Sequence, residues 1–107
     1  MIGNKFNLAT VRKYKEKLDN LGSMVNDLLY GIGLQKINKE DKEILIRSFD
    51  NVVKLSGMYN DVAEQVISNK QIITNDPQKY IGDNLSNACT LTEMVYNKYK
   101  HLSRFGK

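Results

Sequence analysis

The spacing of apolar residues constrains this chain most. In the first third, Val11, Tyr14, Leu18, Leu21, Val25, Leu28 and Ile32 recur in steps of three and four. Leu45, Phe49, Val52, Ser56, Tyr59, Ala63 and Val66 repeat the steps in the middle, and Ile81, Leu85, Ala88, Thr92, Val95, Tyr99 and Leu102 repeat them again near the end. A residue of α-helix advances the chain by about 100°, so such steps hold side chains on one helix face, whereas a strand alternates with a period of two. Three matches of this length predict an all-α chain with long heptad-patterned helices.

The helix boundaries follow from capping chemistry. Asn7 or Thr10 is placed to cap the first helix, and Gly31 with Gly33 to end it. Asn38 caps the second, with Asp41 three residues on, near the positive end of the helix dipole. Asp76-Pro77 supplies a capping carboxylate followed by proline at the first helical position. The expected helices lie near residues 8–30, 39–72 and 77–104. The joining segments GIGLQKIN and ITND are short, so neighbours should run antiparallel in a three-helix bundle spanning residues 1–107 as one domain.

The second helix is expected at the centre. Its apolar positions, from Ile44 to Ile67, cover an arc of about 200° on a helical wheel, where one neighbour needs a stripe only somewhat wider than about 100°. Two neighbours, or a partner chain, would use the rest. Glu43–Arg47 and Asp50–Lys54 stand four apart on its polar side and read as solvated pairs. Gly22 and Gly57 fall inside helices, at about 1 kcal/mol each relative to alanine, which close packing or a mild bend would explain. Gly57 could alternatively split the second helix in two.

Catalytic groups are scarce. Cys89 and His101 are the only thiol and imidazole. Twelve residues apart on one helix, they stand about 18 Å apart along the axis, too far for a Cys–His nucleophile. A structural zinc site needs four such ligands. The Gly-x-Gly of YGIGLQ lacks both the preceding strand and the third glycine of a dinucleotide fingerprint and the Lys-Ser/Thr of a phosphate loop. No enzyme activity, cofactor, metal or small-molecule substrate is expected. One cysteine gives no internal disulfide. No stretch approaches the ~20 apolar residues of a membrane span, and the first fifteen residues lack the apolar run of a signal peptide. A soluble cytoplasmic protein is expected.

The net charge is +4, concentrated at the two ends. Arg12, Lys13, Lys15 and Lys17 crowd the first turns of helix one, where the dipole disfavours cations; either an acidic partner favours them, or solvent screening with Glu16 and Asp19 offsets them. At the other end, YNKYKHLSRFGK alternates aromatic and basic residues as a base-stacking surface does. Placed on a wheel, Tyr99 and Leu102 join the core stripe, while Lys100, His101 and Arg104 point outward and Lys98 sits near an edge. That is first an amphipathic helix end.

Two functions fit. The first is a non-enzymatic interaction protein (adaptor, inhibitor or assembly factor) that binds a protein partner or itself through apolar residues flanking the seams, such as Met24, Leu29, Met58 and Met94. Size and lysine- and asparagine-rich composition fit a phage or mobile-element origin. The alternative is nucleic-acid binding, with Arg12, Lys13, Lys15 and Lys17 at one end and Tyr96, Lys98, Lys100 and Arg104 at the other as contacts.

Overall fold

The structure, a computed structural model, describes residues 5–106. It is an all-α bundle of three helices: α1 (Leu8–Asn26), α2 (Lys39–Asn69) and α3 (Pro77–Tyr99). The helix α1 continues into a π-helical turn (Asp27–Ile32), a short 3₁₀ turn (Leu34–Lys36) precedes α2, and another (Lys100–Leu102) follows α3.

The three predicted starts are formed by the residues expected. Asn7 accepts from the Thr10 amide at 3.1 Å, Asn38 from the Asp41 amide at 2.8 Å, and Asp76 from the Lys79 amide at 3.3 Å with Pro77 behind it. Each satisfies an amide that helix geometry leaves without a partner. At the other end of α2, Lys70 adopts φ 58 and stops the helix at Asn69. Gln65 then holds the connection: its carbonyl accepts from the Ile73 and Thr74 amides, and its NH₂ donates to the Thr74 hydroxyl at 2.7 Å. Ile72, buried at the bend, anchors the same segment.

The central helix is α3, not α2. Ile81, Leu85, Ala88, Thr92 and Val95 are at most 1% exposed, so the third seam is closed along five successive positions. α2 lies along one side of it and α1 along the other. Leu21 of α1 and Leu55 of α2 meet Ile81, Leu85 and Ala88 in one cluster; Leu28, Ile32, Ile37 and Val95 form a second near the π turn. Gly82 lets α1 approach: the Tyr14 ring crosses α3 there, its hydroxyl donates to the Gln78 carbonyl at 3.1 Å, and a methyl on Gly82 would overlap that hydroxyl. α1 and α2 face each other only across a groove, with their backbones apart.

α2 runs unbroken through Gly57, and the alternative split does not occur. Four further expectations are corrected. Gly57 has open space around it, as has Gly22. Close packing within the chain therefore explains neither glycine. The second seam read from sequence mixes two faces, since Phe49, Ser56 and Ala63 are exposed while Val52, Tyr59 and Val66 are half-buried. Leu102 leaves the core stripe, 40% exposed, because α3 tightens into a 3₁₀ turn after Tyr99. Asp50–Lys54 closes at 3.0 Å, whereas Glu43 and Arg47 form no ion pair.

Candidate functional site: an apolar groove and an open helix face

The groove between α1 and α2 encloses about 570 Å³. Leu18, Gly22, Val25 and Leu29 form its α1 wall, Leu45, Ile46, Phe49 and Val52 its α2 wall, and Leu34 closes one end. Of the lining side chains only Lys42, Ser48 and Thr92 are polar, and two of these are satisfied within the fold. Ser48 donates to the Ala88 carbonyl at 3.0 Å and lies 2.7 Å from the Thr92 hydroxyl. With no carboxylate, imidazole or thiol in the lining, the groove presents shape and apolar area.

The α2 wall belongs to a longer feature. α2 carries two heptad seams offset by one residue. The inward one, Asp41, Leu45, Ser48, Val52, Leu55, Tyr59, Val62 and Val66, is buried or half-buried at every position. The outward one, Lys42, Ile46, Phe49, Val53, Ser56, Asn60, Ala63 and Ile67, follows the same steps of four and three and is exposed at every position. Ile46 is 67% exposed, Phe49 64%, Val53 52% and Ile67 80%. The roughly 200° arc read from the sequence is these two seams side by side. α3 covers one, and α1 stands too far off to cover the other.

The end of the bundle where α3 stops is tied shut. Two buried carboxylates lock the end of α3 to the rest of the chain. Asp41, 1% exposed at the start of α2, accepts from the Tyr99 hydroxyl at 2.7 Å and the Lys98 ammonium at 3.0 Å. Those bonds, the Tyr99 hydroxyl first, hold its carboxyl below the usual aspartate range. The Tyr99 hydroxyl also accepts from the Asn38 amide. Asp27, 8% exposed in the π turn, accepts from the Tyr96 hydroxyl at 2.6 Å and from the Ser103 hydroxyl. The bond to Asp27 pushes the Tyr96 phenol up. The Arg104 amide donates to the Gly31 carbonyl at 2.9 Å. Gly31 is required here, because a methyl would overlap the Asp27 carboxylate and press on Ser103 and Phe105. Such buried acids need partners to offset their desolvation, and both find them 57 to 76 residues away in sequence.

The eight contact residues expected from sequence divide accordingly. Tyr96 is half-buried against Asp27, whereas Lys98 stays largely exposed and reaches Asp41 with its ammonium. Arg12, Lys13, Lys15 and Lys17 are exposed on α1, and Lys15 pairs with Asp19 at 3.2 Å. Lys100 and Arg104 are exposed at the other end, the Arg104 guanidinium 5.9 Å from the Phe105 ring centre. The structure does not bring the two basic groups together: α1 begins beside the start of α3, where Lys5 donates to the Asn75 carbonyl and the Asn7 amide to Gln78, and the other group lies where α3 ends. Cys89 is half-buried beside the Lys17 carbonyl, and burial pushes its thiol up, away from the reactive thiolate. Among the described residues no cluster of His, Cys, Asp or Glu could hold a metal, and no helix is long and apolar enough to cross a membrane.

The outward seam is the feature sequence reading missed. Its signal was the excess width of the apolar arc, with Ile46, Val53 and Ile67 falling off the seam as first drawn. The chain matches no known family model, and comparison with characterised proteins and with solved structures gives no significant match.

Proposed function

We propose that this is a non-enzymatic interaction protein that receives an apolar helical surface along the outward seam of α2 and the adjoining groove. The observation that carries the reading is that seam: eight consecutive heptad positions from Lys42 to Ile67, all exposed and five of them apolar. At 1.5 Å per residue it runs about 37 Å, which is the length of a helix and beyond the reach of a small ligand. Recognition of helices uses apolar anchors at this spacing laid in a hydrophobic groove. Isolated exposed leucines need no explanation, but a line of exposed apolar residues, Ile46, Phe49, Val53, Ala63 and Ile67, interrupted by Ser56 and Asn60, supports an interaction surface. Tyr96 and Lys98 are each engaged by a buried carboxylate of the chain, which favours the seam over the basic ends as the contact surface.

Phe49→Glu tests this. The ring is largely outside the core, so the variant keeps its helicity in circular dichroism. Each protein is used as bait in extract from its source cells, with retained proteins identified by mass spectrometry. A protein held by the wild type and lost by the variant, a further copy of the chain included, supports the reading. Identical retained sets overturn it.

A further inference from the structure

Resting on the reading of the outward seam as an interaction surface, we infer that its occupant is the same seam of a second copy, with the two α2 helices parallel and in register. Three observations on α2 point to this arrangement.

The first is the order of residues along the seam. Counting heptads from Ile46 as an a position, the a positions are Ile46, Val53, Asn60 and Ile67. β-Branched residues at a favour two-stranded parallel coiled coils, and a single asparagine among them fixes register, because each amide finds its partner in the identical amide opposite. Asn60 is exposed and sits midway along an otherwise apolar a series. Of the d positions between, Phe49 is a large exposed ring that fills the interface near Ile46, while Ser56 and Ala63 are small and admit close approach of the two backbones beyond it.

The second is charge. The e column beside the seam holds Glu43, Asp50 and Glu64, with Gly57 between and no cation. An antiparallel pair would set this column against itself, acid on acid. A parallel pair sets it against the other flank of the partner, where Leu45, Val52, Tyr59 and Val66 carry no charge, so the acid-on-acid contact is avoided.

The third is area. Ile46, Phe49, Val53 and Ile67, with Val25 and Leu29 on the groove rim, leave on the order of 600 Å² of apolar side chain open per copy, near the ~800 Å² per partner of a standard stable interface. The polar seam residues Lys42, Ser56 and Asn60 add the remainder. Gly22 and Gly57, open within one chain, stand beside this surface, where an approaching helix would meet backbone instead of a side chain.

Sedimentation equilibrium of the full chain from micromolar to several hundred micromolar, with cysteine cross-linking, decides the matter. The wild type should form dimers, and Val53→Asp should weaken them at least tenfold with helicity unchanged. Asn60→Val should associate more tightly while losing a single defined oligomer size. In a Cys89→Ser background, Ile46→Cys and Ile67→Cys should each form a disulfide with its own copy under mild oxidation. A cross-link only in the mixture of the two variants would mean antiparallel helices and overturn the proposal. So would a monomeric wild type at every concentration, or a Val53→Asp protein that dimerises as well as the wild type. Failure here is distinct from failure of the broader reading. A monomer that still holds a different protein lost by Phe49→Glu keeps the groove as a docking surface and removes only the second copy. A monomer that holds nothing removes both.

Discussion

The two faces of α2 have nearly the same spacing and opposite fates. Inward, Leu45, Val52, Leu55, Tyr59, Val62 and Val66 meet α3 or the groove floor, and the polar members are answered: Asp41 by Tyr99 and Lys98, Ser48 by Ala88 and Thr92. Outward, Ile46, Phe49, Val53 and Ile67 meet solvent, and Ser56 and Asn60 have room around them for water or a partner. The difference does not come from hydrophobicity, since both faces are mainly apolar. It comes from where α1 lies. α1 packs on α3 through Tyr14, Leu21 and Gly82, so the bundle closes around α3 and leaves α2 with one covered face. A helix that is apolar beyond the width of its one neighbour has room for a second, and among the described residues the chain does not fill it.

The sharpest way to separate the faces is to make the same kind of cut on each. Leu55, 3% exposed between α1 and α3, should cost about 3 kcal/mol on truncation to alanine, through lost burial and the cavity left behind. Val53→Ala, two residues away, should cost less than about 0.5 kcal/mol in the monomer. Urea denaturation at low micromolar concentration, where association contributes least, reads the contrast. Equal losses at the two positions would mean that the outward face is covered within the chain.

The next largest effect tests the tie between α2 and α3. Asp41→Asn keeps the shape but removes the charge that orders Tyr99 and Lys98, and should cost about 2 kcal/mol at neutral pH, since hydrogen bonds to a charged group are the stronger kind. The pH dependence has a definite sign. The folded carboxyl is held below its unfolded value, chiefly by the Tyr99 hydroxyl and then by Lys98. Its stabilisation is therefore complete above the unfolded value of about 3.9 and is lost as pH falls through the lower, folded value. The gap between wild type and Asp41→Asn should hold steady from pH 7 to 5 and close below about 4. A gap that narrows near neutrality would assign the effect to another group.

These two tests also mark what the sequence could and could not disclose. The α3 seam was legible, because Ile81, Leu85, Ala88, Thr92 and Val95 form one line with no competing apolar line beside it. The caps Asn7, Asn38 and Asp76 were legible because their partners lie three residues away. On α2 the same method failed in detail. Two seams one residue apart merge into one broad arc, and a path of threes and fours can cross from Leu45 to Phe49 and back to Val52 without breaking the rule. Which half of the arc is covered depends on the placement of α1, and that is set by contacts such as Tyr14 against Gly82, 68 positions apart. The buried acids were hidden for the same reason. Asp41 looked like a first-turn acid beside a cap, and nothing near it in the chain announces Tyr99. Asp27 and Gly31 share the π turn, where an inserted residue brings carboxylate and bare backbone together, and helical periodicity carries no mark of such a turn.

The smallest effect concerns the glycines, and it runs in the stabilising direction. Gly57 lies inside α2 with nothing within 4 Å of where a methyl would stand. Alanine there should raise stability by about 0.5–1 kcal/mol in the monomer, by lowering the backbone entropy lost on folding. At Gly31 the same added methyl should act the other way, because the closed end has no room for it beside Asp27. Gly57 flanks the outward seam in the acidic column between Asp50 and Glu64, so the substitution also probes that face. If a second helix approaches there, Gly57→Ala should make the monomer more stable and the assembly weaker. Urea midpoints at low concentration and sedimentation at high concentration would then move in opposite directions. A gain in both would show that the open space beside Gly57 stays open in the assembly and that the contact lies nearer Phe49 and the groove.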